Sequence, residues 1–361
     1  MKRKGRLIVL TAAVCTLLVI AGAMIYGNVQ MHRLTGLSFS EALEYTTKNN
    51  PNAVITVGII ENGAASYKVY GENGKELPSE LHTYEIGSLT KTFTAALIDK
   101  AIREGKISLN DTVDCYLSLP ARDNYPSIEE LLTHTSGYKG YYFQSPMAEN
   151  FIKGRNDFYG ITKDEVLHKI GSLDMKKDSY GFNYSNFGYS VLGLVLETVY
   201  DTDYTTLLNE FAQNELGLSS TRISDQTGDL GNCWAWKPGD AYMAAGAITS
   251  DIEDILHYAR IQLEDDSYFR ECHHPLKSID ASSARYRSMG INMDEIGMAW
   301  IIDDENGVVW HNGGTGDYNC YLGFKPETGD AVIILSNLSP NYRIPATVLG
   351  TKLLSEMSDY D

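Results

Sequence analysis

The 361-residue sequence predicts an α+β fold: one antiparallel sheet built from both chain ends, with a helical subdomain of about residues 115–283 inserted between them. Three observations carry this reading. β-rich runs joined by a turn signal lie near the start. A helix-patterned middle follows, with no internal repeat and no low-complexity linker. A second set of β-rich runs closes the chain.

In chain order, Lys2, Arg3, Lys4 and Arg6 precede an uncharged run from Leu7 to Tyr26. Twenty such residues span roughly 30 Å as a helix, about the thickness of a bilayer core. Basic flanks stay in the cytoplasm, so the chain leaves on the outer side. The length favours an uncleaved single-pass anchor over residues 1–26. The alternative is a signal peptide cleaved near Ala23, after the small-x-small stretch Ala21-Gly22-Ala23. Either reading makes the rest extracytoplasmic. Residues 27–37 read as a connector, and residues 38–361 as one domain.

Ser38–Thr47 reads as a short helix. Ala53–Glu61 is β-rich, Asn62-Gly63 is a hairpin signal, and Ala65–Tyr70 returns as its partner. Phe93, Leu97, Ile98, Ala101 and Ile102 make the apolar stripe of a helix over Leu89–Arg103. Ile128–Leu132, Phe187–Val199, Tyr204–Leu216 and Ile252–Leu263 are the clearest helices of the middle. Gly297–Ile302, Val308–His311, Tyr318–Phe324 and Ala331–Leu335 form a β-meander, and a helix over Pro345–Met357 ends the fold.

The chain is 43% hydrophobic and 21% charged, which excludes a disordered or collagen-like protein. A formal charge of −17 repels phosphate backbones, so no nucleic-acid partner is expected. Four of the 30 basic side chains precede the apolar run. The exported part therefore carries all 47 acidic groups against 26 basic ones, which disfavours anionic lipid as its partner. Cys115, Cys233, Cys272 and Cys320 match no disulfide framework and read as free, partly buried thiols. Cys272-His273-His274 has no second cluster at zinc-like spacing, so it reads as ordinary structure and no metal is expected.

Three motifs carry chemistry. Ser88-Leu89-Thr90-Lys91 follows Gly87 and opens the amphipathic helix, where positions i and i+3 share a face. The Ser88 hydroxyl can then meet the Lys91 amine. The helix N-terminus disfavours an ammonium there, which helps Lys91 act as a base. The bland alternative is a Ser N-cap with a surface Lys. A decoy with the same spacing, Ser136-Gly137-Tyr138-Lys139, sits in a loop. Tyr184-Ser185-Asn186 presents a phenol and an amide two residues apart in an extended loop. His311-Asn312-Gly313-Gly314-Thr315-Gly316 ends a strand, and its glycines let backbone approach a ligand.

Taken in order, Ser88-x-x-Lys91, Tyr184-x-Asn186 and His311-x-Gly313 resemble the three motifs of the serine β-lactamase superfamily. The branch is that of class C β-lactamases, D-alanyl-D-alanine carboxypeptidases and related esterases. Leu131–Gly137 and Ala244–Asp254 look like it too, and the resemblance covers about Ser38 to Met357. It implies an α/β sandwich with helices on both sheet faces. It also implies Ser88 as acylated nucleophile, Lys91 as its base, Tyr184 as proton relay, and Asn186, His311 and Gly313 as substrate-binding residues. The backbone N–H groups of Ser88 and Gly314 would form the oxyanion hole. His134 reads as loop-shaping. Class C β-lactamases carry Lys where this chain has His311, and the class A Ser-Asp-Asn element is absent.

The expected activity is that of an extracytoplasmic serine hydrolase. Its substrate would be a small peptide, D-amino-acid amide or ester, probed also by β-lactams, and no metal or organic cofactor is implied. A D-Ala-releasing peptidase or esterase leads over a true β-lactamase. A penicillin-binding sensor that acylates and stalls, and a pure binding module, are the alternatives from other classes. A His with an ordinary pKa near 6.5 at the carboxylate side predicts that carboxylate substrates lose rate as pH rises through that value.

Overall fold

A computed structural model describes residues 35–176, 179–264 and 268–358. Among these no helix is long and apolar enough to cross a membrane; the apolar run Leu7–Tyr26 lies outside them. The strands are β1 (Ile55–Glu61), β2 (Ala64–Tyr70), β3 (Glu76–Leu77), β4 (Tyr84–Glu85), β5 (Arg222–Ile223), β6 (Ile248–Ser250), β7 (Lys277–Ser278), β8 (Glu295–Ile296), β9 (Ile301–Asp303), β10 (Val308–Gly314), β11 (Asn319–Lys325) and β12 (Asp330–Ser336). The helices include α1 (Phe39–Thr47), α2 (Thr90–Arg103), α3 (Asn186–Tyr200), α4 (Ile252–Leu263) and α5 (Ala346–Ser358).

Nine strands form one sheet in the order β3-β2-β1-β12-β11-β10-β9-β8-β7. The first hairpin and the final meander meet where β1 pairs antiparallel with β12, Ile55 opposite Ser336. The sheet is thus built from both chain ends. Alternation along the strands sends side chains to both faces. Val57, Trp310 and Ile334 pack with α1 and α5 on one face, while Val309, Leu322 and Ile333 join the larger core on the other. Helix α4 lies against that second face, so closely that a Cβ on Gly58 would come within 2.7 Å of Ile252. Helices therefore cover both faces.

Local chemistry explains the ends of α1. Ser38 and Glu41 close a reciprocal capping box before the apolar residues Phe39, Ala42 and Leu43 turn inward. Two expected helices differ at their ends. The helix from Tyr204 stops at Glu210 and widens into a π turn over Phe211–Glu215, where the Leu216 amide reaches back to the Phe211 carbonyl. Leu89 is not the first residue of α2. Gly87–Leu89 form a separate 3-10 turn, because Gly87 takes a positive φ of 48° and re-aims the chain.

A second, three-stranded sheet in the order β4-β6-β5 holds the segment leading to that turn, with Tyr84 opposite Ser250 and Glu85 opposite Thr249. Trp310 is the last β10 residue that pairs with β9, so the outer edge of β10 is open from His311 to Gly314. The four described cysteines are free thiols; Cys272 and Cys320 are buried and Cys115 is exposed. His273 is held by Gln262 at 2.8 Å and His274 contacts Glu271.

Candidate active site

The 3-10 turn leaves the Ser88 side chain half-buried at the mouth of a cleft of about 1030 Å³. Tyr184, His311, Gly313 and Gly314 line the same cleft. One turn further on, Lys91 is fully buried. Its amine makes three contacts: the Ser88 hydroxyl at 3.1 Å, the Asn186 side-chain oxygen at 2.7 Å and the Ala245 carbonyl at 2.6 Å. The Tyr184 and Tyr189 rings lie 4.9 and 5.5 Å from the nitrogen. No carboxylate among the described residues pairs with it, and burial pushes its pKa well below that of an ordinary lysine. A neutral amine has two N–H groups and one lone pair. The two carbonyl oxygens take the two N–H groups, which leaves the lone pair aimed at the Ser88 hydroxyl.

Tyr184 precedes the Ser185 N-cap of α3, and Asn186 is the first residue of that helix. The cap therefore fixes the phenol and the amide together. The Tyr184 hydroxyl is within hydrogen-bonding reach of Ser88, and desolvation of that hydroxyl raises its pKa although the residue as a whole is 36% exposed. Asn186 spends its oxygen on Lys91, so its NH2 group is the part left to meet a ligand carbonyl. His134 shapes this loop as the sequence suggested. It holds a φ of 57°, accepts the Ser185 amide on Nδ1 at 3.1 Å, and packs its ring 4.4 Å from that of Tyr184.

The strand wall is a tight fit. A Cβ on Gly313 would lie 1.9 Å from the Ile86 carbonyl oxygen, and one on Gly87 would lie 2.6 Å from the Gly314 nitrogen. Only glycines let β10 approach the Ser88 turn this closely. The Cys320 thiol donates to the same Ile86 carbonyl at 3.1 Å.

His311 departs from the expectation of a group titrating near pH 6.5. It is buried, and desolvation with the neighbouring Lys91 lowers its pKa to about 3. Its Nδ1 lies 2.6 Å from the Asn312 carbonyl. A carbonyl only accepts, so Nδ1 carries the proton and Nε2 bears a lone pair. The imidazole is neutral and offers the cleft an acceptor, not a charge for a carboxylate.

All six side chains or backbone positions predicted from the motifs, and Gly314, come together around this cleft. Two contributors were not foreseen. The Ala245 carbonyl holds Lys91; it lies in the stretch Ala244–Asp254, whose role the sequence did not show. Glu85 lies buried beside the Ser88 turn and accepts from Thr315 at 2.7 Å and from the Trp234 amide at 2.6 Å. Its position three residues before Ser88 was the available signal.

Comparison with known proteins bears on the family and the fold. A family model described as Beta-lactamase matches residues 48–349. A curated relative, Protein flp from Staphylococcus aureus (strain MRSA252), is 25% identical over 335 residues, covering 82% of this chain and 62% of that protein. The chain thus spans less than two thirds of the length of the first such relatives. A protein named Beta-lactamase from Pseudomonas fluorescens is 24% identical, covering 79% of this chain and 88% of its own length. Among solved structures, a β-lactamase/D-alanine carboxypeptidase from Yersinia pestis superposes with a TM-score of 0.69 at 18% identity, covering 92% of this chain and 99% of that one. With the family match running through more than half of its length, the chain belongs to the β-lactamase family and has the fold of its serine hydrolases.

Proposed function

We propose that this protein is an extracytoplasmic serine hydrolase that works through an acyl-enzyme on a small peptide, D-amino-acid amide or ester. The observation that carries the reading is the Lys91 amine, buried with no carboxylate partner among the described residues and 3.1 Å from the Ser88 hydroxyl. Export rests on the basic-flanked apolar run Leu7–Tyr26. A D-alanyl or β-lactam substrate is supported by the names of the Yersinia pestis and Pseudomonas fluorescens proteins.

The steps follow from the contacts. The Lys91 lone pair takes the Ser88 proton as the serine oxygen attacks the substrate carbonyl carbon. The carbonyl π electrons move onto oxygen, where the Ser88 and Gly314 N–H groups receive the negative charge. The tetrahedral centre collapses and the bond to the leaving group breaks. The Tyr184 hydroxyl hands its proton to the departing nitrogen or oxygen and is reprotonated by the Lys91 ammonium. Water then repeats the sequence on the acyl-Ser88 ester and releases the acid. The Asn186 NH2 group orients the substrate amide. Neutral His311 accepts from a substrate N–H or O–H, which suits esters and amides lacking a carboxylate at that position.

Labelling with a fluorescent penicillin and a fluorophosphonate, followed over time, tests this. Label that forms and is then lost supports turnover. Stable label would instead mean a sensor that stalls, and no label of either kind would mean a binding module.

A further inference from the structure

Glu85 is a buried carboxylate, 3% exposed, with no cation paired to it among the described residues. Burying an unpaired carboxylate is unfavourable, so its retention asks for a reason. Its two oxygens reach two separate segments. One accepts the Thr315 hydroxyl at 2.7 Å, immediately after Gly314 at the end of β10. The other accepts the Trp234 backbone amide at 2.6 Å. These segments also touch each other, since a Cβ on Gly316 would lie 3.0 Å from the Trp234 indole nitrogen. Glu85 itself is on β4, two residues before the Gly87 that abuts Gly314.

We propose that Glu85 is a positioning residue: it clamps the turn carrying Ser88 to the Gly314–Thr315 end of β10 and holds Trp234 over that joint. The two candidate oxyanion donors, the N–H groups of Ser88 and Gly314, sit on opposite sides of the joint. Their separation depends on it. The consequence for catalysis rests on the hydrolase reading above; the clamp itself rests on these contacts.

The clamp is also sensitive to charge. Both partners are donors, which suits a carboxylate. Burial raises the Glu85 pKa to about 7, opposed by the two hydrogen bonds and reinforced by Asp317. The other groups facing it are Cys233 and Tyr318, both pushed upward by burial and so neutral near pH 7. On protonation the Trp234 amide still needs an acceptor, so the proton goes to the oxygen facing Thr315. The threonine hydroxyl must then turn round and accept. A charge-assisted bond becomes a neutral one of about half the strength, and the joint relaxes.

The test uses the full-length protein with p-nitrophenyl acetate as substrate, and tryptophan emission as an activity-independent readout, over pH 5.5–9. Emission from Trp234, assigned by difference from Trp234→Phe, is expected to titrate with a midpoint near 7 in the wild type. Glu85→Gln should remove that transition. Thr315→Val should move it upward, because it deletes the hydroxyl that most lowers the Glu85 pKa. In the wild type kcat should show a limb near pH 7 that falls on the acid side. It should be flat and about three- to tenfold lower in Glu85→Gln, and shifted upward in Thr315→Val, with KM for this small ester changing about twofold or less. Folded-state Glu85 binds its proton more tightly than an exposed carboxylate, so it lowers stability as pH rises from about 4.5 to 7. Glu85→Gln should therefore melt no lower than the wild type at pH 8, which separates positioning from folding. An emission transition unchanged in Glu85→Gln, or absent in the wild type, would overturn the clamp. An emission transition that behaves as stated with no ester hydrolysed would leave the clamp standing and overturn the hydrolase reading instead.

Discussion

The two walls of the cleft are made by different kinds of contact. The helix wall is local: Ser88 and Lys91 are three residues apart and meet within one turn, 3.1 Å from each other. The strand wall is assembled from afar. His311, Gly313 and Gly314 reach the site because β10 is held in register by β11, with Trp310 opposite Gly323 and Gly314 opposite Asn319. Their backbone is pressed against Ile86, more than 200 positions earlier in the chain. Both walls bury an ionisable side chain and hold it neutral. On the helix wall neutrality makes a base; on the strand wall it makes a hydrogen-bond acceptor. The same burial leaves each group one free lone pair, because carbonyls take both N–H groups of Lys91 and the single N–H of His311; the difference lies in what the lone pair faces, the Ser88 hydroxyl on the helix wall and the open cleft on the strand wall.

The largest effects should come from the helix wall. Ser88→Ala is expected to abolish labelling and lower turnover by at least about a thousandfold, since the nucleophile acts as a unit with its base. Lys91→Met should lower kcat by about a hundredfold or more while keeping the volume filled. It leaves the Asn186 and Ala245 oxygens unpaired, at about 1–3 kcal/mol of stability. Intact labelling in Ser88→Ala, checked on protein with a native circular dichroism spectrum, would remove the helix wall from the chemistry.

Next comes the joint. Gly313→Ala must push β10 away from the Ile86 carbonyl, because its Cβ would otherwise lie 1.9 Å from that oxygen. Overpacking of this kind costs about 1–3 kcal/mol. Turnover should fall with it, by about tenfold or more, because Gly314 moves with its neighbour. A variant with wild-type kcat would show that the strand wall does not hold the reacting group.

His311 gives a smaller effect of definite sign. A base whose folded pKa is about 3 binds its proton more weakly in the folded chain than in the unfolded one. Its contribution to stability is complete above about pH 6.5 and is lost as pH falls towards 3. His311→Gln should flatten the stability curve in that window by up to about 1.4 kcal/mol per pH unit. Denaturant midpoints of both proteins at pH 4.5 and 7 check this. Because the imidazole stays neutral, carboxylate and neutral substrates should share one kcat/KM profile between pH 5 and 8. A divergence centred near 6.5 would mean a solvated, titrating His311.

This contrast explains what could be read from the sequence. Spacing within one helix turn is local information, so Ser88-x-x-Lys91 was legible together with the apolar stripe behind it. Asn62-Gly63 marked the turn between β1 and β2, and the Gly-rich end of β10 marked a close approach. The neutral state of His311 was not legible. It depends on burial beside Lys91 and on a hydrogen bond to the next carbonyl, which only the folded chain creates. Nor was the small sheet of β4, β5 and β6. Its strands are two or three residues long, too short for a period of two to show, yet it places Glu85 and so the whole Ser88 turn.

The smallest effect should come from the decoy, and it tests the comparison most directly. Ser136-Gly137-Tyr138-Lys139 repeats the spacing of the helix wall without the helix. Gly137 takes a φ of 74°, so the two side chains do not share a face. The Ser136 hydroxyl is buried and accepts the Tyr138 amide at 3.3 Å, an ordinary turn contact. The Lys139 amine lies over the Tyr142 ring, 6.0 Å from its centre. Burial raises the pKa of the Tyr138 hydroxyl, so that group supplies no base either. Ser136→Ala should therefore cost about 0.5–1.5 kcal/mol of stability for one turn hydrogen bond. Labelling rate and kcat should stay within about twofold of the wild type, a change no larger than about 0.4 kcal/mol in the barrier. A loss of label in Ser136→Ala comparable to that in Ser88→Ala would show that spacing alone, without the helix turn and the buried amine, selects the nucleophile.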